Sequence, residues 1–341
     1  MLLRRRILVR LLLLDQPVAL RTEAEIESEA RKNYPWNFRV SLLDGVSFWF
    51  GLAFVSSATI VPLFVSKVTL NPLLIGLIAM IAQAGWQLPQ LLSAHVIERS
   101  ARKKPILVNL GFFLERVPVL LWPLGALVSV WSPPWGLAVF IVGWSWHGFG
   151  AGLVAPAWQD LLARIIPIER RGKMYGITTF LGTGFAAGGA VLSGYILEKY
   201  EYPYDFVIIF SIAAVALFTS WLFLALTREP LGAPVAVATV GETLWSRMMD
   251  ILRIDVNFRR FLIVRALYTL GTMGLGFVTV SAVEQLSIAD AVVGYYTVTL
   301  LVGQTVGGLI SGIIADRRGH KVALALGALT MALAFGVIVF A

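Results

Sequence analysis

The chain has 341 residues, of which 58% are hydrophobic and 14% are charged, with a mean hydropathy of +0.79 and a formal net charge of +8. A water-soluble domain does not hide so much apolar surface, so this composition excludes an ordinary soluble protein. The sequence contains no cysteine, which excludes disulfides and thiolate metal sites.

The apolar runs of the sequence are long enough to cross a bilayer core of about 30 Å as helices. They lack the period-2 alternation of barrel strands, so the predicted fold class is an all-α polytopic membrane protein. The nine predicted spans lie at 41–65, 72–97, 105–130, 135–160, 174–197, 205–227, 260–283, 291–314 and 322–341.

Two polar regions lie outside these spans. Residues 1–40 are predicted to form a cytoplasmic arm, in which Thr22 and Glu25 have capping-box spacing and predict a short helix over 22–32. Residues 228–259 form the longest internal loop and contain an amphipathic stretch from Leu244 to Arg253. This stretch predicts an interfacial helix within a linker between two halves of the chain.

The basic residues are distributed unequally between the two sides of the predicted membrane. Of the 28 lysines and arginines, 24 lie in the arm, the linker and the loops on the same side, and Lys67 and Lys199 lie on the other side. This asymmetry predicts a cytoplasmic N-terminus and an external end of the ninth span. The net positive charge is therefore interpreted as a topology signal rather than as a sign of nucleic-acid binding.

Parts of the chain align with each other at an offset of 218 to 220 residues. Asn37–Arg39 aligns with Asn257–Arg259, and the segment 97–104 aligns with 315–322. The repeat predicts a first six-helix bundle over 41–227 and a partial second bundle over 260–341. Two related membrane bundles joined by a cytoplasmic linker are typical of transporters.

The loop between the eighth and ninth spans resembles the G-x-x-x-D-R-x-G-[RH]-[RK] motif of the major facilitator superfamily. The matching residues are Gly312, Asp316, Arg317, Gly319, His320 and Lys321. The copy in the first half is degenerate, with Glu98 in place of the aspartate, but it keeps Arg99. Residues 148–176 are similar to the fourth helix and following loop of many members. The resemblance covers about residues 37–341 and implies two bundles, with six helices in the first and about three of six in the second.

The resemblance implies that this loop is a cytoplasmic latch for the outward-facing state. Asp160 matches the position of the acid that pairs with the arginine of the first loop. An alternative is that 315–321 serves only as a positively charged topology anchor, and both roles are compatible. Trp144 stands where proton-coupled drug exporters carry arginine, and the fifth span lacks their Gly-Pro pair, so the sequence does not indicate a drug exporter.

Several ionisable residues fall inside the predicted spans, where charges are costly and often functional. Glu115 and Arg116 lie near the middle of the third span, and neighbouring residues of an α-helix point about 100° apart. We therefore expect that they do not face one neighbour, and that they have a structural ion-pair or hydrogen-bonding role, in which each can pair across helices, or take part in proton coupling. The resemblance implies a peripheral position for this helix. His147 in the fourth span is a candidate ligand or proton site, or a hydrogen-bonded packing residue.

Asp44 and Arg265 occupy nearly corresponding positions in the two repeats. They are predicted either to pair across the bundles and close an inner gate, or to reach toward the interface. Gln83, Gln87 and Tyr268 are further candidates for contact with a solute.

The predicted function is secondary active transport of small organic solutes by alternating access, since the sequence lacks ATPase and soluble-enzyme motifs. The alternatives are a non-transporting membrane sensor or scaffold on a transporter fold, and an intramembrane enzyme. No cofactor or metal is expected. The expected partners are a small-molecule solute, a coupling proton or other ion, and the lipid bilayer; the complete protein is expected to be monomeric and to lie in a prokaryotic inner membrane.

The repeat gives six spans in the first half and three in the second. We therefore expect the chain to be a fragment of a twelve-helix protein that does not transport on its own, unless it is a natural nine-helix protein.

Overall fold

A computed structural model describes residues 21–69, 71–98, 100–231, 249, 252–272 and 274–340. Helix dominates, and no strand occurs within these ranges. The chain is an all-α polytopic membrane protein, as the sequence predicted. Residues 1–20 of the predicted arm and most of the predicted interfacial helix lie outside the described residues.

The first helix, α1, spans Glu23–Ala53 and begins at a complete capping box. The Thr22 backbone N–H donates to Glu25 Oε2 over 2.8 Å, and the Glu25 N–H donates to Thr22 Oγ1 over 3.3 Å. The predicted cap is confirmed, but the helix does not end at residue 32. A non-helical segment at 54–59 separates α1 from α2, Ile60–Val68. The predicted span 41–65 is therefore two helices.

The remaining helices follow in chain order. They are α3, Pro72–Glu98; α4, Ile106–Val128; α5, Pro133–Ile165; α6, Ile168–Lys199; α7, Tyr204–Ala225; α8, Val256–Thr272; α9, Gly274–Gln285; α10, Val292–Arg318; and α11, His320–Phe340. Within the described residues, seven helical stretches are long and apolar enough to cross a membrane, with α8 and α9 counted together and α11 contributing a shorter apolar helix. These stretches match the second to eighth predicted spans.

The helices run back and forth between two ends of the molecule. We call one the basic end; it holds the connections near 100–105, 166–167, 226–231 and 319. The other, the far end, holds those near 54–59, 69–71, 129–132, 200–203 and 286–291. This alternation agrees with the loop sides predicted from the basic residues.

Helices α1 to α7 pack into one bundle, in which α3 packs on α5, and α1 on both α6 and α7. The Phe64 ring lies 4.9 to 5.3 Å, centroid to centroid, from the rings of Phe140, Phe206 and Phe210 near the far end. At Gly150 the backbones come so close that an added Cβ would lie 1.8 Å from the Leu114 carbonyl oxygen. Close packing of this kind drives helix association in membranes.

The second half repeats part of this arrangement. Helices α3 and α10 each have 27 residues and correspond within the repeat. Helix α9 packs on α2 and α3, and α10 packs on α6, so the two halves are in contact. Farther along α10, a Cβ added at Gly303, Gly307 or Gly308 would meet no atom within 4 Å. The α10 contact with the first half is therefore concentrated toward the far end.

Candidate functional site

Asp44 lies buried in the centre of the first bundle, with 5% of its surface exposed. Its Oδ1 accepts a hydrogen bond of 2.6 Å from the Ser220 hydroxyl, so the pair joins α1 to α7. Asp44 also interacts electrostatically with Arg116 and Glu115 of α4. A carboxylate that is isolated in the sequence is thus part of a group of ionisable residues.

Glu115 and Arg116 pair with each other, at 2.6 Å between Glu115 Oε1 and Arg116 NH1, and both are buried. A structural ion pair is thus formed, but within one helix rather than across helices. Phe112–Arg116 is π-helical, so its turn is wider than the α-helical turn assumed from the sequence. The Arg116 guanidinium lies 5.7 Å from the centroid of the Phe48 ring of α1, so this part of α4 faces the bundle interior rather than its periphery.

His147 of α5 completes this group. It is buried, and its Nδ1 lies 2.8 Å from the Glu115 carbonyl oxygen, where the ring donates if Nδ1 carries the proton. We call Asp44, Glu115, Arg116, His147 and Ser220 the buried charge cluster. Two carboxylates, one guanidinium and one imidazole in a water-poor interior form a group able to hold and exchange a proton.

A second polar group lies between α3 and α8, where the two halves meet. Arg265 Nε donates to Gln87 Oε1 over 3.5 Å, and the guanidinium lies 5.9 Å from the centroid of the Tyr268 ring. Gln87 Nε2 donates in turn to Gln83 Oε1 over 3.1 Å. We call Gln83, Gln87, Arg265 and Tyr268 the seam cluster.

The predicted Asp44–Arg265 gate is not formed. Asp44 bonds to Ser220 within the first bundle, whereas the exposed Arg265 bonds to Gln87. Their similar positions along the repeat do not bring them together because their side chains meet different neighbouring helices.

Contacts between the halves close the far end. Lys67 Nζ lies 2.6 Å from Asp290 Oδ2, and the hydroxyls of Thr59 and Thr297 lie 2.6 Å apart in a buried position. At Gly194 an added Cβ would lie 2.7 Å from the Ala291 carbonyl oxygen, so a side chain there would push α6 away from α10. We call Lys67, Asp290, Thr59 and Thr297 the far-end gate.

The connection between α3 and α4 at the basic end is held by two acids. Asp160 of α5 pairs with Lys103 at 3.1 Å. Burial lowers the pKa of the Lys103 ammonium, and the hydrogen bond that it donates to Asp160 opposes that shift. Glu229 accepts the backbone N–H groups of Lys103 and Lys104 over 2.8 and 2.9 Å, and Arg164 lies 3.5 Å away. The start of α4 and the residues after α7 are therefore tied to α5.

The carboxyl groups and histidines within the described residues form no group of three or more that could hold a metal ion.

Comparison with known proteins places this arrangement in a family. The model of the Major Facilitator Superfamily matches residues 116–341. The chain belongs to this superfamily. Its fold is similar to that in the crystal structure of a D-xylose-proton symporter, with a TM-score of 0.56 at 13% identity over 83% of this chain and 70% of the symporter chain. No curated protein matches the sequence.

The superfamily motif in the second half lies at the turn from α10 to α11. Gly319 has φ 86°, a backbone conformation that favours glycine, and it permits the sharp turn predicted from the sequence. Arg317 and Lys321 are exposed, and a Cβ added at Gly312 would have no neighbour within 4 Å. The side chains of Asp316 and His320 lie outside the described residues.

In the degenerate first copy, Glu98 is exposed and Arg99 lies outside the described residues. Where the resemblance implied an arginine partner for Asp160, the structure gives Lys103. The loop that carries the first copy is therefore bonded to a helix of its own bundle.

Sequence reasoning missed Ser220, Glu229 and the far-end gate. One available signal was the opposite charge of Lys67 and Asp290 in repeat-related connections, and another was the position of Glu229 directly after a span. Nothing in the sequence around Ser220 marks it as the partner of Asp44.

Proposed function

We propose that this superfamily member is a secondary active transporter of small organic solutes that works by alternating access. The observation that carries the proposal is the unequal contact between the halves. The far-end gate joins α2 and the residue before it to the start of α10, whereas Arg317 and Lys321, at the turn from α10 to α11, are exposed. A protein that closes one end while the other stays apart has the geometry of one state in an alternating cycle.

The proposed orientation places the basic end in the cytoplasm, in a prokaryotic inner membrane, on the basis of the basic residues. In this assignment the present conformation opens inward. The domain plan is a first bundle of α1 to α7, a linker that begins at residue 228, and a second bundle that contains α8 to α11. The α10–α11 motif then serves as a latch for the outward-facing state, which agrees with the lack of first-half neighbours around Gly312 in this conformation.

We further propose that a proton is the coupling ion and that the buried charge cluster carries it. Asp44 lies at the join of α1 and α7 and interacts with both members of the Glu115–Arg116 pair. Protonation of either carboxylate would change the balance of charge around Arg116 and so favour a different packing of these helices. Proton coupling in the structurally similar D-xylose-proton symporter is consistent with this role.

The test is solute flux in proteoliposomes, with D-xylose, lactate and a neutral amide as initial probes. Preparations with the 341-residue chain alone are compared with preparations that also contain the last third of a homologous superfamily member as a second chain. Saturable, protonophore-sensitive uptake supports the proposal. Saturable binding without flux in both preparations would favour the sensor or scaffold function.

Asp44→Asn separates coupling from transport. We expect it to abolish uptake driven by a pH gradient but to retain solute counterflow, because counterflow needs no net proton movement. Ser220→Ala is the matched control, since it removes the hydrogen bond to Asp44 but keeps the carboxylate. Equal loss of both activities in Asp44→Asn would contradict a coupling role.

A further inference from the structure

The seam cluster lies within the membrane-spanning part of α3, Pro72–Ala94, nearer its basic end. Gln87 is separated from Glu98, at the basic end of this helix, by eleven residues, or about 16 Å at a rise of 1.5 Å per residue. It lies about 22 Å from Pro72 at the other end. Arg265 is bonded to Gln87, so its guanidinium shares this depth. Arg265 itself lies five residues inside the predicted span 260–283, so its charge lies within the membrane-spanning part, nearer the basic end.

The glutamines face away from the packed side of their own bundle. An added Cβ at Gly85 would lie 2.9 Å from the Gly148 backbone, so Gly85 marks the side of α3 that packs on α5. Gln83 and Gln87 lie two residues before and after Gly85, about 200° away around the helix axis. Both side chains thus lie on the opposite side of α3, where Arg265 of the second half contacts Gln87.

The two arginines at membrane depth differ in how their charge is balanced. Arg116 is buried and paired with Glu115. The side-chain partners of the Arg265 guanidinium among the described residues are neutral, namely the Gln87 amide and the Tyr268 ring. Charged residues within spanning segments are rare and typically mark a solute or ion pathway.

The hydrogen bond to Gln87 also orients the guanidinium. It uses Nε, and no acceptor within the described part of the chain bonds to the two terminal nitrogens. These two nitrogens form a planar fork that matches both oxygens of a carboxylate. Arg265 and Tyr268 are exposed, so the described residues do not enclose this edge of the guanidinium.

We propose that the seam cluster binds the carboxylate of the transported solute. Arg265 forms the bidentate ion pair, Gln87 and Tyr268 hold the guanidinium in place, and Gln83 fixes the Gln87 amide. This inference rests on the proposed transport function and narrows the substrate class to organic anions. Because the site spans α3 and α8, a bound carboxylate also bridges the two halves.

The experiment measures thermal unfolding of the 341-residue chain in nanodiscs. The probes are acetate, lactate and succinate, with acetamide as the neutral match, inorganic phosphate as a second anion, and chloride at equal ionic strength. For the wild type we expect a saturable rise in Tm with the carboxylates and none with acetamide. A larger response to phosphate than to any carboxylate would overturn the carboxylate assignment.

Substitutions in the seam cluster test whether the rise in Tm with carboxylates comes from binding at this cluster. Arg265→Gln is expected to weaken carboxylate binding at least tenfold, and Arg265→Lys to weaken it partly, because the charge remains without the fork. Gln87→Glu places a carboxylate beside Arg265, so it is expected to raise Tm without ligand and to abolish the response to added carboxylate. Arg259→Gln, an exposed arginine nearer the start of α8, is the matched control and should respond like the wild type.

The possible failures are distinguishable from failure of the transport proposal. Equal carboxylate responses in the wild type and Arg265→Gln would overturn this inference. Saturable flux of a neutral solute that Arg265→Gln leaves unchanged would overturn it while supporting the transport function. Absence of binding and flux for every solute, with no rise in Tm for Gln87→Glu, would overturn both.

Discussion

Replacement of Lys67 by methionine is expected to open the far end of the molecule. Lys67 pairs with Asp290 at 2.6 Å across the two halves, with the side chains 35% and 25% exposed. Asp205 of α7 interacts electrostatically with both residues, so Lys67 balances more than one carboxylate. The ion pair exists only when the far end is closed, and its loss therefore favours the state in which that end is open.

The expected change in the ratio of closed to open molecules follows from how exposed each contact of the gate is. Partly exposed ion pairs contribute up to about 1 kcal/mol, which corresponds to about a fivefold change in the ratio of closed to open molecules. The buried hydrogen bond between Thr59 and Thr297 contributes about 1 kcal/mol more. We expect about a fivefold shift for Lys67→Met and about a thirtyfold shift for the double variant with Thr59→Val.

The assay uses the absence of cysteine from the native sequence. Val293 of α10 is fully buried near the far-end gate, so Val293→Cys gives a reporter that reacts with a membrane-impermeant maleimide only when this end opens. Lys199→Met is the matched control, because Lys199 is an exposed lysine at the same end. Equal labelling rates in the Lys67 and Lys199 variants would refute the gate.

Two further variants test the cause of a difference in labelling rate. The charge exchange Lys67→Asp with Asp290→Lys is expected to restore slow labelling, which a general loss of stability would not do. Asp316→Asn weakens the proposed latch for the opposite state, so labelling in this variant is expected to be slower than in the wild type. Faster labelling in Asp316→Asn would contradict the latch.

The remaining predictions concern packing, the basic end and orientation. Gly150→Ala is expected to destabilise the first bundle by about 3 kcal/mol in detergent denaturation, because the added Cβ would overlap the backbone of α4. Gly188 has free space around it, so Gly188→Ala is expected to be neutral or slightly stabilising. Glu229→Gln is expected to lower the free energy of unfolding by about 2 kcal/mol, because the charged hydrogen bonds at the start of α4 are lost. Glu201 is exposed, so Glu201→Gln is expected to change this free energy little. Equal effects of the two variants would argue against a role of Glu229 in holding the basic end. A cysteine at 320 should be labelled only from the cytoplasmic side, and labelling from outside would reverse the proposed orientation.

The sequence determined the features that depend on neighbours along the chain. Apolar runs predicted seven of the spans closely, since any helix that crosses lipid must satisfy its backbone internally over about 20 residues. The Thr22–Glu25 cap was also readable, because its bonds close within one turn. The helix break at 54–59 was not, since its residues include no glycine or proline to interrupt the pattern.

The tertiary structure decided which polar residues meet. Asp44 and Arg265 looked like partners because they occupy similar positions in the repeat, yet Asp44 bonds to Ser220 and Arg265 to Gln87. Glu115 and Arg116 looked unable to share a neighbour, yet a π-helical turn allows them to pair. A one-dimensional pattern records depth along a helix but not rotation about its axis or the helix that lies opposite. Both are set by close packing at positions such as Gly85 and Gly150, where backbone contact fixes how each helix is turned.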